Sequence, residues 1–143
     1  MSDLSPGDVA LLEAQLPVGI LMPDDQTMRL VHVKPGVIEA HVGPAAESVT
    51  TTDGLVFWFS EAATTDLKVN RVATLNLLAV SDFSPRMVPL LRGPVLATSQ
   101  LAGHPDGLTL AQMKALHRES GPPVWWVNWV LHVRVERDRQ HRT

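Results

Sequence analysis

The amino-acid sequence predicts a single α+β domain with a mainly antiparallel sheet and three to four short helices. Short β-prone runs are separated by turn residues, and capped segments of helical period lie between them. The chain of 143 residues suits one core. Apolar residues make up 45% of the chain and charged residues 19%, which is typical of a globular domain rather than a disordered segment.

Composition excludes several classes of function. The chain has no cysteine, so it has no disulfide, no thiol catalyst and no cysteine-ligated zinc. A net charge of −3 argues against a protein that coats nucleic acid. The first residues lack a basic stretch followed by an apolar run, and no apolar run is long enough to span a bilayer. We therefore expect a cytoplasmic protein with no membrane partner.

The first third of the chain is predicted to hold one arm, one hairpin and one short helix. Residues 1–17 are predicted to form an N-terminal helix or arm, with Ser5 as its cap. Strands at 18–22 and 28–33 flank a turn-like segment, PDDQT, and are expected to pair as a hairpin. Residues 35–43 begin with proline and end with glycine, which favours a short helix.

A second hairpin is predicted over 47–60. The pair Asp53–Gly54 lies between two β-prone runs and favours a two-residue type I′ turn, in which both central residues have positive φ. Phe57 and Phe59 fall on one face of the second strand and Trp58 on the other. A strand that is apolar on both faces is expected in the middle of a sheet.

The next segments predict a helix at 70–80, capped by Asn70, and a strand at 88–99. The strand is interrupted by Gly93–Pro94, and proline removes a ladder hydrogen bond, so we expect this strand at an edge or bulged. The predicted buried stripe of the helix comprises Val72, Leu75, Leu78 and Ala79.

A further helix is predicted from about 109 to 120 and completes a core domain at 18–120. Thr109 and Gln112 have the spacing of a capping box, in which each side chain bonds the other residue's backbone amide. The side chains expected to face inward are Leu110, Met113 and Leu116.

Three of the four tryptophans lie in the segment GPPVWWVNWVLHVRV. Its alternation of apolar and polar residues predicts a long C-terminal strand of the same domain at 121–136, followed by a frayed basic tail at 137–143. Trp125 and Trp129 would face the core. The opposite face is the predicted partner-binding surface, because an exposed tryptophan favours a docking site; it comprises Trp126, Asn128, Val130, His132 and Arg134.

Several segments, taken in order, resemble a small bacterial, plasmid and phage family known only as a domain of unknown function. The resemblance spans about residues 18–117, and its most specific piece is VNRVAT at 69–74, which matches the family's N-x-x-A-T helix. Pro44 replaces the second glycine of the family's V-G-G, and Ala62 replaces the glycine of its Glu-Gly. The resemblance implies an α+β fold and a phage or mobile-element setting. It implies no reaction.

The chemistry-bearing residues do not assemble into a catalytic or metal motif. The six histidines show neither HxH nor HxxxH spacing, so we expect no metal site. Glu47 and Glu61 bracket the second hairpin, but such carboxylates more often solvate strand ends, and no catalytic residue is assigned. Asn70 has two interpretations. It caps a helix, which we prefer, or it contacts an anion together with Arg71.

The sequence thus favours a non-enzymatic interaction protein of a phage or mobile element. It would bind a protein partner, such as a host or defence component, or its own copy as a homodimer. The alternative is a small flavin-binding split-barrel enzyme, which TTDGLVFWFS, Lys68, VATLNLL and LLRGPVL resemble in order. Weak nucleic-acid binding ranks third, and no cofactor is expected outside the flavin alternative.

Overall fold

The computed structural model describes residues 16–23, 25, 27–51, 53–60, 68–118 and 132–137. Six strands form one antiparallel sheet in the order β2-β1-β5-β4-β3, and β6 pairs with β5 beside this path. The elements in chain order are β1 (Val18–Met22), β2 (Arg29–His32), α1 (Val37–His41), β3 (Ala46–Thr50), β4 (Val56–Ser60), α2 (Arg71–Val80), β5 (Val95–Leu101), β6 (His104–Asp106), α3 (Leu110–Arg118) and α4 (132–137). The predicted α+β class is confirmed.

The first hairpin joins β1 and β2 as predicted, with Val18 opposite His32 and Leu21 opposite Arg29. Its turn is closed by a side chain. The backbone amide and hydroxyl of Thr27 donate to Oδ1 of Asp25 at 3.1 and 2.6 Å. These hydrogen bonds, with a smaller contribution from the positive charge of Arg29, lower the pKa of the Asp25 carboxyl below its ordinary value.

The sheet is covered on both faces. The larger apolar cluster lies on the side of α2 and α3, where Phe57 and Leu77 are fully buried. The smaller cluster joins the other face to α1 through Val37, Leu96 and Trp58. The opposite placement of Phe57 and Trp58 is the one predicted, and β4 lies inside the sheet between β3 and β5. No helix in the described part of the chain is long and apolar enough to cross a bilayer.

The strand after α2 is predicted to lie at an edge or to be bulged at Gly93–Pro94, and the edge placement is wrong. β5 is central, between β1 and β4, with Ala97 opposite both Ile20 and Phe57. The physical reason is where the strand begins. Pro94 precedes the first residue of β5, so its missing N–H lies outside the ladder.

The predicted inner stripe of α2 is on the wrong side of the helix, because the buried residues lie roughly opposite to it; they are Ala73, Thr74, Asn76 and Leu77. Ala73 and Leu77 are fully buried in the larger cluster, whereas the predicted stripe is half-buried at Val72, Leu75 and Leu78 and exposed at Ala79. The reason is that Asn70 is buried at the start of the helix, and Ala73 and Leu77 lie on the same face as Asn70.

The loop of the second hairpin differs from the predicted type I′ turn. The amide of Thr51 donates to the carbonyl of Leu55 at 2.7 Å, which leaves three residues in the loop. Gly54 has φ +79°, and Ala102 is the only non-glycine residue with positive φ among those described. Asp53 therefore lacks the positive φ that a type I′ turn requires. A three-residue loop that ends in a left-handed glycine is the next most common hairpin connection.

The prediction of a long C-terminal strand is wrong where the structure describes that segment, because 132–137 is helical. Residues 133–136 are all half-buried, so buried and exposed positions do not alternate. Nη1 of Arg134 donates to the carbonyl of Pro85 at 2.8 Å, and burial lowers the pKa of this arginine. The N-terminal arm at 1–15, the tryptophan segment at 121–131 and the tail from 138 lie outside the described residues.

One buried side chain joins three elements. Asn70 is 0% exposed, and its Oδ1 accepts from the amide of Ala73 at 3.1 Å, which confirms the predicted helix cap. Its Nδ2 donates to the carbonyls of Met22 and Gly93, both at 2.8 Å. The same amide therefore connects the end of β1, the approach to β5 and the start of α2.

Thr74 extends this connection by one turn of α2. Its hydroxyl donates to the carbonyl of Asn70 at 2.9 Å and accepts from the amide of Leu91 at 3.1 Å. The amide of Asn70 donates to the carbonyl of Leu91 at 2.7 Å. Asn70 and Thr74 thus satisfy backbone groups that would otherwise be buried without partners.

We expect Asn70→Ala to lower the free energy of unfolding by about 3 kcal/mol or more, because it removes a helix cap and orphans two buried carbonyls. Urea unfolding followed by tryptophan fluorescence measures this loss.

The matched control is Asn76→Ala. Asn76 is equally buried, but it makes one side-chain bond, to the carbonyl of Val72, and its Oδ1 has no partner. Its loss should change the stability by less than about 1 kcal/mol. Equal losses for the two variants would contradict the role given to Asn70.

We expect Thr27→Val to raise the pKa of Asp25 toward its ordinary value, because the variant removes the hydroxyl donor. Since the folded-state pKa of Asp25 is lowered, its contribution to stability is present at neutral pH and is lost as pH falls through that pKa. An NMR titration of the Asp25 carboxyl carbon in both proteins measures the change. An unchanged titration curve would show that the hydroxyl does not stabilise the carboxylate.

Candidate functional site

The predicted partner-binding residues do not form one face in the described part of the chain. Trp126, Asn128 and Val130 lie outside the described residues. His132 is exposed and Arg134 is half-buried in α4. Side chains two positions apart on a helix differ by about 200° in direction around the helix axis. His132 and Arg134 therefore face different directions.

The anion-contact and carboxylate candidates named from the sequence do not come together in one site among the described residues. Asn70 is fully buried, with its amide donating to Met22 and Gly93 and its Oδ1 accepting from Ala73, so its geometry is that of the cap. The anion contact at Arg71, which is half-buried, stays a prediction. Glu47 is exposed on β3, and Glu61 lies outside the described residues. Within the described ranges, no group of three histidine or carboxylate side chains could hold a metal ion.

The outer edge of β3 is the first of two candidate binding surfaces. Among the described strands, β3 pairs with β4 alone. Backbone groups of an antiparallel strand point alternately to the two sides. Because the amide of Thr51 bonds Leu55 on the β4 side, the amides and carbonyls of Ser48 and Thr50 point away from the sheet. Their side chains are exposed as well.

This edge is held in place from inside the protein. Val49 of β3 and Phe59 of β4 pack on the larger apolar cluster. At the tip of the hairpin, Nε2 of Gln112 donates to the carbonyl of Asp53 at 3.1 Å. The edge of β3 is thus anchored to α3 before any partner arrives.

Gln112 also completes the predicted capping box. Its Oε1 accepts from the amide of Thr109 at 2.9 Å, and its own amide donates to the Thr109 hydroxyl at 3.1 Å. The box is confirmed, whereas Leu110, expected to face inward, is 64% exposed because it begins the helix beside the box. The bond from Gln112 to Asp53 spans 59 positions, and no local pattern predicts it.

The second surface is a cleft of about 420 Å³ between α1 and β6. Val33 and Val37 are buried beneath it, and Pro35, Ile38 and Pro105 contribute further apolar surface. The polar side chains at the cleft are Lys34, Glu39 and His104. No sequence pattern predicts this cleft, because its two walls are about 70 positions apart and neither carries a motif.

Comparisons with known proteins assign the chain to no family. No protein-family model, no curated protein and no solved structure matches it. The resemblance to the phage and plasmid family over 18–117 therefore stays a prediction. The flavin-binding split-barrel alternative also stays a prediction. The sheet in the described residues is an open path, with β2 and β3 at its two ends.

We expect Gln112→Ala to loosen the tip of the second hairpin while leaving the rest of the sheet protected. Native-state hydrogen exchange should show the amides of Thr51 and Gly54 losing about 1–2 kcal/mol of protection, the cost of one buried contact. Gln100→Ala is the matched control, because Gln100 is exposed on β5. Equal effects of both variants on these two amides would refute the anchoring role of Gln112.

Proposed function

We propose that this protein acts by binding a protein partner, which adds a strand to its sheet along the outer edge of β3. The observation that carries the proposal is the outward row of backbone groups at Ser48 and Thr50. Main-chain hydrogen bonds to such an edge supply affinity, and alternate side chains of the added strand supply specificity.

The composition of β3 supports the proposal. Sheet edges that avoid pairing carry proline, lysine or inward charges. β3 has the sequence AESVT, with Glu47 as its only charge. The opposite edge, β2, carries Arg29 and lies next to Lys34, so its cationic side chains oppose non-specific pairing.

The proposed setting is a phage or mobile element, with a host or defence component as the partner and the host cytoplasm as the location. This part of the proposal rests on the motif order over 18–117. A second copy of the chain is also a suitable partner. Two β3 edges related by a two-fold axis at Ser48 would place Glu47 opposite Val49 and not opposite another Glu47, so like charges would not face each other.

We expect Ser48→Pro to abolish partner binding and leave the fold intact. Proline removes the outward N–H of Ser48 without breaking a bond to β4. Light scattering of the purified protein measures self-association. Affinity capture from a lysate of the source cells, quantified for wild type and variant side by side, measures binding to other proteins.

The matched control is Ser48→Thr, which keeps the N–H and suits a strand. A thermal melt of each variant establishes that it is folded. A dimer or a captured partner that persists in Ser48→Pro contradicts the proposal. A wild-type protein that is monomeric and retains no partner contradicts it equally.

A further inference from the structure

We infer that the cleft between α1 and β6 binds a small amphipathic organic anion, with its apolar body between the two walls and its carboxylate at Lys34. This inference does not depend on the proposed function, because the cleft and the β3 edge use different residues. The cleft is formed by residues 33–39 on one side and by His104 and Pro105 on the other.

The size of the cleft suits a small molecule. Its volume is about 420 Å³. Ligand pockets in proteins are commonly roughly 300–1,000 Å³ and mostly apolar, with a few polar groups that fix orientation. A medium-length hydrocarbon chain suits both the volume of the cleft and its mostly apolar lining.

The apolar part of the site comes from both walls. Val33 and Val37 form the floor, and their own packing on Leu21 and Leu96 fixes their positions. Ile38 and Pro105 are half-buried, so they keep apolar surface available on opposite sides of the cleft. An apolar chain placed between them would remove this surface from water.

The charge at one end selects the head group. Lys34 is exposed, and no carboxylate of the described residues forms an ion pair with it. His104 lines the facing wall of the cleft, and an imidazole can form a hydrogen bond with a carboxylate. Glu39 lies at the other end of the 33–39 run and repels an anion there. A carboxylate is therefore expected beside Lys34, with the chain extending along the apolar floor.

Two probes with the same chain length and opposite charge test this assignment. Octanoate and octylammonium are titrated separately into ¹⁵N-labelled protein, and the amide shifts of Gly36, Val37 and Ile38 are followed. We expect octanoate to give saturable shifts at these amides and octylammonium to bind more weakly. Lys34→Glu should weaken octanoate about fivefold or more and strengthen octylammonium, whereas Lys34→Ala should weaken octanoate about two- to fivefold.

Lys114→Glu is the matched control, because Lys114 is an exposed lysine on α3 away from the cleft and should leave both titrations unchanged. Ser48→Pro should also leave them unchanged, which separates this inference from the proposed function. The inference is overturned if octylammonium binds the wild type as tightly as octanoate does. It is overturned as well if octanoate gives no saturable shift at residues 36–38, or binds Lys34→Glu with unchanged affinity.

Discussion

The buried amide of Asn70 is the interaction on which the arrangement of this fold depends. It satisfies one carbonyl at the end of β1, one before β5 and one amide at the start of α2. A buried polar group without a partner is costly, and the two long-range bonds, to Met22 and Gly93, form only when β1 and the approach to β5 lie beside the start of α2. We call the Asn70 side chain with these three partners the hub. The hub couples the pairing of β1 with β5 to the docking of α2 on the sheet.

This coupling gives a structural role to the N-x-x-A-T segment, the most specific piece of the predicted family resemblance. In the N-x-x-A-T segment, Asn70 forms the hub, the buried Ala73 donates to it, and Thr74 bridges Asn70 to Leu91. Each of the three named positions has a structural task. A resemblance carried by this motif accordingly concerns the fold, and function has to be sought at exposed residues such as Ser48 and Lys34.

What the sequence predicted correctly is local. The cap at Asn70 and the box of Thr109 and Gln112 each involve residues three positions apart, and the first hairpin follows from two β-prone runs around a turn. The errors arose where distant segments decide. The inner face of α2 is set by the hub, the central place of β5 is set by its two neighbours, and the helix at 132–137 contacts Pro85. The alternation of apolar and polar residues was therefore insufficient to predict a strand.

Both candidate surfaces arise from the way the strands pair, which local sequence patterns do not reveal. β5 has seven residues, but its pairing with β1 and β4 ends by Thr98. Its remaining residues pair with β6 alone, which carries His104 and Pro105 to the side of the cleft facing α1. At the other end of the path, β3 is as long as β4 and pairs with it over its whole length. Its outer backbone groups thus form a continuous edge on a rigid sheet, the geometry that strand addition requires.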